Sequence, residues 1–158
     1  MLLIGDCLDR LPELEAGSID LTVTSPPYDN LRTYNGTLND WTAEKWQAVI
    51  RELYRVTNQG GVVVWVVGDA TIKGSETGTS FRQALCHPAT FPEALARDRI
   101  LSWSNPGDLV LDPFLGSGTT AKMAIATGRR FIGIERDPSY MEIAERRVAE
   151  LQLPLAAE

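Results

Sequence analysis

Short apolar runs alternate along this chain with longer segments in which apolar residues recur at helical spacing. Leu2-Leu3-Ile4, Ile19 to Thr24, Val62 to Val67, Asp108 to Asp112 and Phe131 to Ile134 have the length and β-branched content of strands. Val62 to Val67 is almost continuously apolar, the pattern of a strand buried on both faces. Between Thr42 and Leu53, residues Trp46, Val49, Ile50 and Leu53 fall on one helical stripe, which Asn58-Gln59-Gly60-Gly61 is expected to terminate. Further helices are expected over about Asp6 to Leu14, Phe81 to Leu85, Phe91 to Trp103 (with Pro92 in the first turn), Thr119 to Thr127 and Ser139 to Leu151. The stretches 29–40 and 68–80 are polar and read as loops. Strands alternating with helices predict an α/β protein, with a mostly parallel, twisted sheet covered by helices on both faces. We expect one domain over 1–152 and a frayed tail over 153–158.

Composition narrows the class. The chain has 158 residues, 44% hydrophobic and 23% charged, the profile of an ordinary folded domain. No apolar run approaches membrane-spanning length, and no basic-then-apolar segment opens the chain, so a cytoplasmic protein is expected. Cys7 and Cys86 are too few for a disulfide framework, and no Cys/His spacing suggests a metal site. Trp41, Trp46, Trp65 and Trp103 are most simply packing residues, and Arg129-Arg130 and Arg146-Arg147 solvated faces.

Two motifs carry chemistry. In Thr24-Ser25-Pro26-Pro27-Tyr28 the prolines end a strand and stiffen the backbone, leaving carbonyls as free acceptors. A hydroxyl (Ser25), stiff carbonyls and a stacking ring (Tyr28) suit a planar, amine-bearing substrate, although such a tetrad can also merely lead a strand into a loop. In the second motif the strand ending at Asp112 enters Pro113-Phe114-Leu115-Gly116-Ser117-Gly118-Thr119-Thr120-Ala121. Gly116, Gly118 and Ala121 fit the G-x-G-x-x-G/A spacing, which lets backbone N–H groups approach a cofactor closely. Glu135 ends the next strand, where an acidic residue is expected to bind ribose hydroxyls.

Together these motifs resemble the amino-methylating DNA methyltransferases (N4-cytosine/N6-adenine type), in the order of the permuted β class. Gly5-Asp6-Cys7-Leu8, His87-Pro88-Ala89-Thr90-Phe91-Pro92 and Gly133-Ile134-Glu135 complete the likeness, which runs from about Leu3 to Val148. It implies a Rossmann-like, S-adenosylmethionine-dependent fold whose strands lie side by side in the order Leu2, Phe131, Asp108, Ile19, Val62. Asp6, Glu135, Asp112, Ser25 and Asp69 would then share the carboxyl edge. It further implies Ser25, Pro26, Pro27 and Tyr28 as catalytic residues acting on a flipped base. Asp112, Phe114, Gly116, Gly118 and Thr119 would surround the methionine part of the cofactor, Asp6 and Cys7 would lie near the adenine, and His87 would position the cofactor. Ser rather than Asp before Pro-Pro resembles members acting on cytosine N4, with adenine N6 the alternative.

The chain departs from the family between Leu85 and His87, where members usually carry a final strand pair and a target-recognition region. The Val62 strand is therefore expected to be an apolar edge, covered either by self-association as a homodimer or by the 69–81 loop. DNA is the expected partner, in a restriction-modification or related DNA-methylation setting. With a net charge of −6, binding is expected to be weak and salt-sensitive, with Arg32, Lys73, Arg82 and Tyr34 as candidate contacts. Two competing readings are a nicotinamide-dependent oxidoreductase, which leaves Ser-Pro-Pro-Tyr unexplained, and a catalytically silent shortened relative or subunit.

Overall fold

In the computed structural model, residues 1–26, 42–66 and 92–152 are described. They form strands β1 (Leu2–Ile4), β2 (Ile19–Thr24), β3 (Thr57–Trp65), β4 (Leu109–Asp112) and β5 (Arg130–Glu135). The helices are α1 (Cys7–Arg10), followed by a 3-10 turn over Leu11–Glu13, then α2 (Ala43–Val56), α3 (Glu93–Trp103), α4 (Thr119–Ala126) and α5 (Pro138–Gln152). The sheet order is β1-β5-β4-β2-β3 and every pairing is parallel, as the strand order expected from the sequence requires.

Two apolar layers sandwich the sheet. On one face Cys7 and Leu11 join Val49, Leu53 and Val56 of α2 against Ile19, Leu111, Ile132 and Ile134. On the other, Ala96 and Ile100 of α3 and Met123 and Ala124 of α4 cover Leu21, Val23 and Val110. A third cluster, including Ala121 of α4 with Ala144 and Val148 of α5, extends that layer. Fully burying each large aliphatic side chain contributes roughly 1.5–3 kcal/mol, so the sandwich is the main source of stability.

Local chemistry sets the ends of α2. The Thr42 hydroxyl accepts the Lys45 N–H at 3.3 Å, and the Thr57 hydroxyl donates to the Leu53 carbonyl at 2.6 Å. The Asn58-Gln59-Gly60-Gly61 stretch does not terminate the helix as expected. The chain passes straight from Val56 into β3, and these four residues belong to the strand. They form an irregularity in which Ile19 pairs with Thr57 and Leu21 with Val62, so the longer side of the ladder bulges. Gly60 supplies the required φ of 91° and Gly61 the clearance, since a Cβ there would lie 2.7 Å from the side chains of Asn58 and Thr57. Pro92 caps α3 rather than occupying its first turn.

Burial corrects further expectations. No residue of β3 is fully buried and Val63 is exposed, because among the described residues β3 has one partner strand, β2. The both-faces-buried reading fails, and among the described residues β3 is the last strand of the sheet. Trp46 and Trp103 are exposed rather than core; Trp65 is half-buried; Trp41 lies outside the described residues. Arg129 is no solvated face. It is buried and donates to the carbonyls of Ser104 (2.6 Å) and Thr127 (2.5 Å), closing the loop between α3 and β4. Among the described residues no helix is long and apolar enough to cross a membrane.

Asp20 fastens the amino-terminal end of the sheet. Its carboxylate accepts the Leu109 N–H at 2.7 Å and a short hydrogen bond from the Asn58 side-chain amide, joining β2 to β4 and β3. Asp20→Ala leaves the part-buried Leu109 N–H without that acceptor. A loss of about 1–3 kcal/mol in urea denaturation is expected, with the oligomeric state unchanged.

Candidate active site

Parallel pairing carries the strand ends to one edge. Leu2 is opposite Gly133 and Ile4 opposite Glu135, and Asp112 pairs with Gly133. The Gly5 N–H donates to the Glu135 carbonyl at 2.9 Å, which sets Asp6 beside that strand end. Thr24 pairs with Trp65, and the Val66 N–H donates to the Thr24 carbonyl at 2.9 Å. Asp6, Glu135, Asp112 and Ser25 therefore line the carboxyl edge together. Asp69, Pro27, Tyr28 and His87 lie outside the described residues, as do Arg32, Tyr34, Lys73 and Arg82. Among the described residues no cluster of His, Cys, Asp and Glu is arranged to hold a metal.

The two chemical motifs meet at a buried hydrogen bond. The Thr24 hydroxyl donates to Asp112 Oδ1 at 2.7 Å, although the residues are 88 apart in sequence. The same oxygen accepts the Phe114 N–H at 3.1 Å. Burial pushes the Asp112 carboxyl up to about 6, against the opposing pull of hydrogen bonds from Thr24, Thr120 and Phe114; the charge of Glu135 adds a smaller upward push. Ser25 is half-buried and Pro26 buried immediately beyond Thr24. Phe114 meets the ring of Trp65 edge to face at 6.2 Å, a further contact between the glycine turn and β3.

The glycine turn is clamped from both sides. Glu135 accepts the Gly116 N–H at 2.7 Å through one carboxylate oxygen and the Asp137 N–H at 2.8 Å through the other. Each oxygen retains further acceptor capacity, so the carboxylate both shapes the turn and can still receive hydroxyls. From the opposite side, Arg147 donates to the Ser117 carbonyl at 2.9 Å and to its hydroxyl at 3.1 Å, and also reaches Glu93 at 3.1 Å. Lys122 donates to the same Glu93 oxygen at 2.7 Å. The solvated-face expectation holds for Arg146, which is exposed, but Arg147 itself is a structural clamp. The doublet gives no signal for this, because only the α5 packing turns one arginine inward.

Gly118 begins α4 at φ 87°, and a Cβ there would come within 3.0 Å of the Ala144 Cβ and 3.1 Å of its Cα. By contrast, a Cβ at Gly116 would meet no heavy atom of the described residues within 4 Å, so the turn is open to them on that side. Thr119 and Ala121 are buried behind it. Asp6 caps α1 by accepting the Leu8 N–H at 2.9 Å. The Cys7 thiol is buried in the core beside Asp6, and burial is the main reason it is pushed up to about 12. It is an inert packing group rather than a nucleophile.

A parallel α/β sheet with a glycine turn and acidic residues at its carboxyl edge defines a Rossmann-like, nucleoside-cofactor class of protein. A DNA methylase family profile matches residues 74–146. The orphan methyltransferase M.BamHII of Bacillus amyloliquefaciens is 34% identical over 254 aligned positions, covering 92% of this chain and 90% of that protein. Since the chain has 158 residues, many of those aligned positions of the relative have no counterpart here. The DNA adenine methyltransferase YhdJ of Escherichia coli K12 is 56% identical over 62 residues, 39% of this chain but 21% of that protein. Among solved structures, a Thermus thermophilus protein described as a putative DNA modification methylase, complexed with S-adenosyl-L-methionine, superposes with a TM-score of 0.73. It is 26% identical and the match covers 95% of both chains. The PvuII cytosine-N4-specific DNA methyltransferase shares the fold, with a TM-score of 0.73 at 18% identity over 92% of this chain and 85% of that one. This chain belongs to the N4/N6 amino-methylating DNA methyltransferase family, whose members depend on S-adenosylmethionine.

Three outcomes test this geometry. Gly118→Ala adds both backbone strain and overlap with Ala144, so it should cost about 2–4 kcal/mol in urea denaturation. Gly60→Ala, at φ 91° with no neighbour within 4 Å among the described residues, should cost only the strain, about 1 kcal/mol. For Asp112 the sign follows from its raised folded-state value. The native state binds the extra proton, so this group's stabilising contribution is present below its ordinary value of 3.8 and lost as pH rises through about 6. Relative to wild type, Asp112→Asn should therefore gain stability between pH 4 and pH 7.5, read by urea denaturation at each pH.

Proposed function

We propose that the chain transfers a methyl group from S-adenosylmethionine to the exocyclic amine of a DNA base, with cytosine N4 the favoured target. The observation that carries this reading is the juxtaposition of Thr24-Ser25-Pro26 with the Asp112–Gly118 turn, through a buried side-chain bond at the sheet's switch point. The residues fit the cofactor. A glycine turn open at Gly116 admits close approach, and Glu135 has acceptor capacity for ribose hydroxyls. Asp112, Phe114, Gly118 and Thr119 would hold its methionine part, with Asp6 and Cys7 near the adenine and His87 assigned to cofactor positioning from the sequence. When bound, S-adenosylmethionine supplies an electrophilic methyl carbon, and the C–S electron pair returns to sulfur.

The chain's own residues supply orientation. An exocyclic amine has its lone pair delocalised into the ring, so acceptors that direct its N–H bonds favour a localised lone pair. The Ser25 hydroxyl and the Pro26 carbonyl take that role. Ser25 is too weak a base to remove a proton beforehand, and one amine proton passes to solvent as the new bond forms. Pro27 stiffens this backbone and Tyr28 stacks on the base, both assigned from the sequence. The preference for cytosine rests on Ser in place of Asp before Pro-Pro. Residues 1–152 act as one catalytic domain, a reading supported by the M.BamHII alignment over 92% of this chain.

The test is transfer of labelled methyl to unmethylated genomic DNA, followed by nucleoside digestion and mass identification. N4-methylcytosine is expected. N6-methyladenine would keep the enzyme and reverse the Ser25 inference, and cofactor binding without labelled DNA would assign a silent relative or a subunit. Ser25→Ala should lower kcat about tenfold or more. Tyr28→Ala should weaken DNA binding by roughly 1–3 kcal/mol, and binding should fall steeply as salt is raised.

A further inference from the structure

Strands β2 and β4 are the neighbours between which the connections diverge, and their ladder is short. Among the described residues it pairs Leu21 with Val110 and Thr22 with Leu111. Beyond Thr22 the contact is carried by side chains, with the Thr24 hydroxyl on Asp112 at 2.7 Å. Thr24 is itself fixed from the far side, since its carbonyl accepts the Val66 N–H at 2.9 Å. Asp112 Oδ1 in turn holds the Phe114 N–H at 3.1 Å, the first amide of the glycine turn after Pro113. Both partners are buried, Thr24 completely, so water offers no substitute donor.

We infer that Thr24 is a positioning residue for methyl transfer: its hydroxyl on Asp112 sets the spacing between the backbone bearing Ser25 and the turn that receives the cofactor. This rests on the transferase reading above and deepens it. Thr24 touches neither reacting atom. A displacement of an ångström between two reactant-holding segments is enough to lower a rate by orders of magnitude, so the bond acts on turnover rather than on either binding step alone. The groups facing Asp112 are hydroxyls of Thr24 on β2 and Thr120 on α4, the Phe114 N–H of the turn, and the Glu135 carboxylate of β5. A hydroxyl that donates to the ionised carboxylate favours ionisation, so its removal must raise the pH at which Asp112 titrates.

The experiment compares wild type with Thr24→Val, which is isosteric but lacks the donor, and Thr24→Ser, which keeps it. Asp112 is followed by carbon-13 NMR of its carboxyl group through a pH titration, without cofactor or DNA. Turnover is measured at saturating S-adenosylmethionine and DNA above pH 8, where Asp112 is ionised. Thr24→Val should titrate at higher pH than wild type and lose about tenfold or more in kcat, while Thr24→Ser should match wild type within about threefold in both readouts. Thr24→Ala replaces the valine variant if that protein does not fold. An unmoved Asp112 midpoint overturns the proposal, and so does an unchanged kcat in a donorless variant or an equal loss in Thr24→Ser. A wild type that labels no DNA overturns the transferase reading and the positioning role with it; a wild type that labels DNA as fast as its donorless variant overturns only the positioning role.

Discussion

Parallel pairing is the constraint on which everything else in this molecule rests. With the order β1-β5-β4-β2-β3 and no antiparallel strand among those described, all five carboxyl ends must leave the sheet at one edge. That single fact converts residues scattered from Asp6 to Glu135 into neighbours. It also explains the two apolar layers, since each parallel crossover must lay a helix across one face or the other. Burial of Val49, Leu53 and Val56 on one side and of Ala96, Ile100 and Met123 on the other is the energetic consequence.

Among the described residues the polar groups at that edge are few, and most serve two purposes. Asp112 is fixed by a hydroxyl and an amide while sitting in a place that penalises its charge. Glu135 spends one hydrogen bond on each side of its own strand end, to Gly116 and to Asp137, before any ligand arrives. Arg147 and Lys122 converge on Glu93, tying the start of α3 to the glycine turn through Ser117. Such prior organisation is what an electrostatic site needs, because groups already held in place need not reorganise during the reaction. The cost is carried by Asp112, whose burial works against its ionised form.

The contrast between β2 and β3 shows how position in the sheet overrides strand composition. Both are apolar and β-branched, and both read as buried. Strand β2 is central and nearly all of it is inaccessible, whereas β3 has one neighbour among the described residues and leaves Val63 exposed. Similarly, the α2 stripe is rotated from its expected place: Val49, Leu53 and Val56 face the sheet, and Trp46 at the helix start faces outward.

The amino-acid sequence by itself determined the strand bounds at Leu2–Ile4 and Ile19–Thr24, the helix start at Thr42, the glycine turn and the membership of one family. These follow from local rules: apolar period, capping side chains, and backbone conformations that glycine and proline favour or forbid. It also carried the sheet order, by resemblance rather than by spacing. What only the tertiary structure decided are contacts between residues distant in the chain. Thr24 on Asp112, Arg147 on Ser117, Asp20 on Leu109 and buried Arg129 are chosen by which face of each element turns inward. A threonine before Ser-Pro-Pro or one arginine of a doublet has the same local propensity in either orientation, so no pattern along the chain distinguishes a solvated side chain from one that holds the site together.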